Sequence, residues 1–238
     1  RGFEKFYGTI IGAGSFYDPA TLCRDNKFIT PENDNKYKPK KYYYTDAISD
    51  NAVTFLQEHM KESPNKPLFL YVSYTTAHWP MHALPEDIVR YKGVYDGGFQ
   101  RVRGERFKRL KELGLIREDL KLSPQSDDWE KIPNKEWDIR NMEVYAAMID
   151  NMDRGISRIV KEFERQGTLD NTLIMYLQDN GACAEGFGRY SQKPYNRKYK
   201  PLGRDGFQTK IWPPMQTRDG RPVKNGTDAM AGPEDTFT

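Results

Sequence analysis

The chain has 238 residues, 30% of them charged and 37% hydrophobic, with a mean hydropathy of −0.85. That length can bury a sizeable core in one or two domains, and 13% aromatic residues exclude wholesale disorder. A net charge of +3 from 37 basic and 34 acidic residues carries no nucleic-acid or membrane signal.

Two cysteines, Cys23 and Cys183, are too few for a disulfide scaffold, and the sequence leaves open whether they pair. No stretch approaches the roughly 20 apolar residues of a membrane helix. Beginning at Arg1-Gly2-Phe3, without methionine or signal peptide, the chain reads as a mature or excised piece.

Residues 1–45 read as loop, punctuated by Gly8, Gly12, Gly14, Pro19, Pro31 and Pro39. The Lys36–Tyr44 stretch mixes lysine with tyrosine. It suits a lysine-fringed loop or edge strand, or an anion-attracting surface. A helix follows, capped by Thr45 or Asp46, with Ile48, Ala52, Phe55, Leu56 and Met60 on one stripe. Ser63-Pro64-Asn65-Lys66-Pro67 stops it, and His59 near its end is read as a surface residue. The apolar run 68–74 then reads as a strand buried on both faces.

Residues 85–135 are charged and irregular, with a basic, solvated helix from about Arg101 to Leu113. The strongest helix pattern runs from about Lys135 to Arg165. Its stripe is Met142, Tyr145, Ala146, Ile149, Met152, Ile156, Ile159, Val160 and Phe163, and Gly167 is its stop. A second apolar run, 172–178, ends in Asp179-Asn180-Gly181. Two apolar strands separated by helices predict a parallel α/β sheet. Ligands in such sheets bind past the carboxyl ends of the strands. The tail after Tyr190 reads as long loops with a short hairpin at most.

Both polar clusters of interest lie at those strand ends. Asp179 and Asn180 offer a carboxylate and an amide carbonyl, the oxygen donors that Ca²⁺ and Mg²⁺ take; Asp-Asn-Gly is also a common turn sequence. His78, ahead of Trp79-Pro80, can donate to an anionic oxygen, act as general acid, or simply pack on Trp79. His82 lies four residues on, but Pro80 disfavours the continuous helix that a His78/His82 zinc pair would need.

The motifs taken together resemble the type I sulfatases, the arylsulfatase-like part of the alkaline phosphatase superfamily. Residues 71–82, Tyr71-Val72-Ser73-Tyr74-Thr75-Thr76-Ala77-His78-Trp79-Pro80-Met81-His82, look like the strand that ends in an active-site histidine. Residues 145–153 with Gly155 are similar to the long helix before the metal strand, and residues 177–186 resemble the metal-binding turn. Arg1–Gly8 looks like the stretch after a Gly-Lys-Trp-His motif, and residues 232–237 like the stretch before a later lysine loop.

The resemblance implies an alkaline-phosphatase-like α/β sandwich with a central, mostly parallel sheet flanked by helices. It implies hydrolysis of sulfate esters, on a sulfated small molecule or a sulfated polysaccharide, with no nucleic-acid or membrane partner. In the family, a formylglycine made from a Cys/Ser-x-Pro-x-Arg motif attacks sulfur beside a divalent ion, Ca²⁺ ahead of Mg²⁺. By matched motif, His78 contacts the sulfate or leaving-group oxygen, and Asp179 and Asn180 are metal ligands. A periplasmic or secreted parent is implied as well.

The departures are specific. Neither Cys23-Arg24-Asp25-Asn26-Lys27 nor Cys183-Ala184-Glu185-Gly186-Phe187 fits the nucleophile motif. The family's early aspartate pair, its Lys-x-His pair and its late lysine are not among these residues. The expectation is a partial catalytic domain over 1–238, with the nucleophile segment and a C-terminal part lying outside, and no turnover from this chain alone. The alternatives are a phosphodiesterase or phosphonate hydrolase of the same superfamily, or a non-catalytic anion- or carbohydrate-binding relative.

Overall fold

The computed structural model describes residues 2–12, 14–124, 128–178, 199–208 and 216–221. The N-terminal stretch, read from sequence as loop, contains a small sheet. Strands β1 (Tyr7–Thr9), β2 (Leu22–Arg24) and β3 (Lys27–Phe28) run antiparallel in the order β1-β2-β3. Gly8 pairs with Cys23, and Cys23 with Phe28. The β2–β3 turn needs a left-handed residue, and Asp25 supplies it at φ 55°; aspartate tolerates that region better than most side chains. The buried Arg24 forks onto both oxygens of Asp34, donates to Asn51 Oδ1 at 2.8 Å and lies 4.8 Å over the Tyr7 ring. A guanidinium is tolerated in a core only when its donors are matched in this way.

Helix α1 (Tyr44–Glu62) buries Ile48, Ala52 and Leu56, as its periodicity predicts. Its start differs from the expected cap at Thr45 or Asp46. The helix begins after Tyr43, whose side chain makes no cap because it is drawn into the core. A short helix α2 (Pro85–Ile88) follows the loop that carries His78 and His82, and α3 (Phe99–Glu112) has no buried residue. The core gathers Phe16, Leu22, Tyr43, Ile48, Ile88 and Met148, from the N-terminal stretch, from α1 and α2, and from the long helix that follows.

Helix α4 (Lys135–Arg165) has the predicted bounds. Gly167, at φ 69°, ends it, with the Gly167 and Thr168 N–H groups donating back to the Glu164 and Phe163 carbonyls. The face that packs is rotated from the expected stripe. Met152 and Ile159 of that stripe are buried, but so are Val144, Ala147, Met148, Asn151 and Gly155 beside it, whereas Tyr145 is 42% exposed and Ile149, Ile156 and Phe163 are half-buried. Helices α1 and α4 meet closely at Gly155. A Cβ there would overlap the Ser49 hydroxyl and sit 3.2 Å from Tyr74 Oη.

The two apolar runs correct the sequence expectation. Neither 68–74 nor 172–178 forms a strand, and the one sheet among the described residues is the antiparallel one. Run 172–178 is largely exposed, with Leu173 at 83% and Leu177 at 75%, while 68–74 alternates: Phe69 is 73% exposed, but Val72 and Tyr74 are half-buried against the core. The physical reason is that a strand is buried by neighbours on its edges and faces, and no ladder forms along either run.

The stretches 199–208 and 216–221 pair through Leu202 N–H to the Arg218 carbonyl at 2.7 Å and Tyr199 N–H to the Gly220 carbonyl at 3.2 Å. They pack on the N-terminal stretch through Asp18, which accepts from Arg218 Nη2 and Gln208 Nε2, each at 3.0 Å.

Candidate active site

The segment between Tyr74 and Leu84 leaves the α1–α4 seam and returns to the core, so it is anchored at both ends. Tyr74 Oη lies 2.8 Å from Ser49 Oγ, and Thr76 Oγ1 lies 2.9 Å from Thr45 Oγ1. At the far end, Tyr43 Oη donates to the His82 carbonyl at 2.8 Å, and Tyr17 Oη donates to the Ala83 carbonyl at 2.6 Å. Tyr43 and Thr45 both belong to the start of α1, so one helix end clamps both ends of the loop.

His78 sits between the clamps and is exposed. Its N–H closes a turn onto the Thr75 carbonyl at 2.9 Å, and its ring lies 5.2 Å from Trp79. Nδ1 is 2.7 Å from the Trp79 carbonyl. A carbonyl only accepts, so Nδ1 carries a proton, and Nε2 is the nitrogen left to meet a ligand. One nitrogen is thus spent on backbone, and the ring stays accessible.

His82 is the opposite case. It is fully buried, stacked on Tyr17 at 5.7 Å and edge-on to Phe16 at 6.1 Å. The Phe16 N–H donates to its Nδ1 at 3.3 Å, and Nε2 has no hydrogen-bond partner among the described residues. Burial with no compensating charge pushes its pKa down to about 3. One histidine is exposed and the other enclosed in aromatic rings, so they do not form the zinc pair weighed from the sequence.

Behind the loop, the helix seam is electrostatically matched. The buried Asp87 pairs with Arg154 at 2.5 Å and accepts from Asn151 Nδ2 at 3.2 Å. Arg158 bridges Asp46 and Asp50 at 3.1 and 3.2 Å. Among the described residues, no group of three or more His, Cys, Asp or Glu side chains is placed to hold a metal. Asp179 and Asn180, the metal ligands expected from sequence, lie outside the described residues, as does Cys183.

Sequence reasoning singled out His78 as a candidate and did not foresee the clamp around it. The available signal was the run Tyr42-Tyr43-Tyr44 ahead of a helix start, too aromatic for a solvated loop.

Comparison with known proteins gives this arrangement its context. The sulfatase family model matches residues 1–222. An arylsulfatase of Klebsiella aerogenes is 30% identical over 94% of this chain and 51% of its own length. An uncharacterized sulfatase of Schizosaccharomyces pombe is 31% identical over 89% of this chain and 41% of its own. An ulvan-active sulfatase of Formosa agariphila is 23% identical over 78% of this chain and 30% of its own. The chain therefore spans about half the length, or less, of these relatives. With the family model covering nearly all of it, and the clamped histidine loop lying inside the matched range, the chain belongs to the sulfatase family.

Proposed function

We propose that the whole protein carrying this chain is a sulfuric ester hydrolase, with His78 at the sulfate or leaving-group oxygen. The carrying observation is an exposed imidazole on a loop anchored at both ends, in a chain of sulfatase family. With Nδ1–H bonded to the Trp79 carbonyl, a protonated ring presents Nε2–H to the ester oxygen. As the S–O bond breaks, that proton neutralises the departing alkoxide or phenoxide. The Trp79 carbonyl orients the ring so that Nε2 faces outward from the loop.

Asp179 and Asn180 fit a divalent ion by the chemistry of their donors, hard carboxylate and carbonyl oxygens, which favours Ca²⁺ over Mg²⁺. They supply about two or three of the roughly six to eight oxygens Ca²⁺ takes, so further ligands and the formylglycine nucleophile come from elsewhere. Such an ion, when bound, supplies charge stabilisation for the sulfate oxygens. In the whole protein, runs 68–74 and 172–178 are proposed to join a central, mostly parallel sheet that they do not form in this chain alone; their apolar composition and the exposed apolar side chains they carry here support this. The substrate class is a sulfated small molecule or polysaccharide, the latter supported by similarity to the ulvan-active relative. A periplasmic or secreted location goes with such substrates.

The test is His78→Ala in the whole protein, assayed on aryl sulfates with good and poor leaving groups. The expected loss is roughly 10²–10⁴-fold on the poor leaving group and smaller on the good one. Equal losses on both would restrict His78 to binding sulfate. Activity on phosphate esters and none on sulfate esters would overturn the proposal.

A further inference from the structure

The loop bearing His78 is held at its far end by a residue whose chemistry is unusually constrained. A backbone N–H can only donate, so the contact from Phe16 requires Nδ1 of His82 to be an unprotonated acceptor. The neutral ring then carries its proton on Nε2, which has no partner among the described residues. Replacing His82 with a hydrocarbon of similar size would remove that orphan donor but orphan the Phe16 N–H instead. The histidine thus gains nothing obvious in hydrogen bonding over an apolar residue. What it adds is direction. An imidazole stacked on Tyr17 and bonded to Phe16, with its carbonyl taken by Tyr43, has one position and one rotamer.

We propose that His82 is a positioning residue for His78: locked in its Nε2–H tautomer, it fixes the end of the 76–83 loop so that the His78 ring meets the ester oxygen. This rests on the reading of His78 as the group that protonates the leaving oxygen. Three residues separate the two histidines, and Thr76 is pinned to Thr45 on the other side. Slack at residue 82 therefore passes to residue 78. A displacement of about 1 Å is enough to cost on the order of 10²-fold in a positioned reaction.

The test uses His82→Leu, His82→Asn, His78→Ala and the His78→Ala/His82→Leu double variant of the whole protein, on 4-nitrophenyl sulfate and on phenyl sulfate. Asparagine places an amide oxygen where Nδ1 accepts, so it is the conservative rescue. His82→Leu should lower kcat on phenyl sulfate roughly 10–10²-fold, with little change in KM and a much smaller loss on 4-nitrophenyl sulfate. His82→Asn should recover most of that loss, and the double variant should be no slower than His78→Ala alone.

Additive losses, or equal losses on both substrates with no rescue, would overturn the proposal. If His82→Leu does not fold, Tyr43→Phe, which removes the bond to the His82 carbonyl, should give the same leaving-group pattern. A second readout needs no activity. Histidine side-chain ¹⁵N spectra should show the His78 ring shifted and broadened in His82→Leu and near its wild-type position in His82→Asn. Changed spectra in a protein without sulfatase activity would uphold the positioning and sink the proposed function. An unmoved His78 signal in folded His82→Leu would sink the positioning itself.

Discussion

Acid should weaken this fold through His82, by an amount that can be worked out. The folded state keeps His82 neutral down to about pH 3, because its ring is fully buried against Phe16 and Tyr17 with no carboxylate bonded to it. The unfolded chain takes up that proton at an ordinary histidine value of 6.5. Between these values the unfolded state binds more protons, so stability rises with pH across the window and falls on acidification. Each pH unit is worth about 1.4 kcal/mol, so lowering the pH from about 6.5 to about 5 should remove about 2 kcal/mol. Glu162, held at about 2 by Arg165, adds a loss of the same sign only below its unfolded value of 4.5. Asp18, pushed up by burial, opposes it at low pH. His82→Asn keeps the acceptor for Phe16 but cannot be protonated. Urea unfolding followed by circular dichroism, at several values between about pH 7.5 and about pH 5, should therefore give a steeper loss for wild type than for the variant, by about 2 kcal/mol over the window. Parallel profiles for the two proteins would refute the reasoning.

Two further outcomes follow from packing. Gly155→Ala should destabilise by about 1–3 kcal/mol through overlap with Ser49, outweighing about 1 kcal/mol of helix propensity, while Gly104→Ala on exposed α3 should stabilise by about 0.5–1 kcal/mol; thermal unfolding reads both signs. The 238-residue chain alone should self-associate through its exposed apolar runs, and Leu173→Lys with Leu177→Lys should shift it toward monomer in sedimentation velocity; an unmodified chain that stays monomeric at high concentration would contradict this.

Local rules read well where one local rule governs. The bounds of α4 follow from a long periodic pattern and a glycine stop, and α3 follows from a run with no apolar face wide enough to bury. They fail where two environments compete for one element. α4 is apolar around much of its circumference, so periodicity identified a stripe through Tyr145, Ile149, Ile156 and Phe163, while α1 selected the neighbouring face through Val144, Met148, Asn151 and Gly155. The small size of Gly155 was the clue, since close helix approach selects a residue without a Cβ. The N-cap of α1 went wrong for a related reason: Thr45 has the right chemistry for a cap, but its hydroxyl is engaged with Thr76 instead. His78 stood out as a candidate because a histidine at the end of an apolar run is conspicuous. The role of His82 was not, because Phe16, Tyr17 and Tyr43 are at least 39 residues away in sequence.

The exposed apolar surface also has a direction. Phe69, Leu173, Met175 and Leu177 are each more than two-thirds exposed. Burying a side chain of this kind is worth about 1.5–3 kcal/mol, so these four together represent about 6–12 kcal/mol. That is the size of a whole domain's net stability, about 5–15 kcal/mol. Exposed apolar surface of that size marks an interaction face. Both runs flank the same helix pair: 68–74 leads into Tyr74 at the Ser49–Gly155 contact, and 172–178 leaves from the end of α4. The half-buried stripe of α4, which α1 does not take, supplies a third apolar strip. A sheet laid across these strips would bury all three at once and bring the carboxyl end of 172–178, where Asp179 and Asn180 follow, to the same edge as the His78 loop. The proposed central sheet would thus cover the apolar strips that the described residues leave exposed.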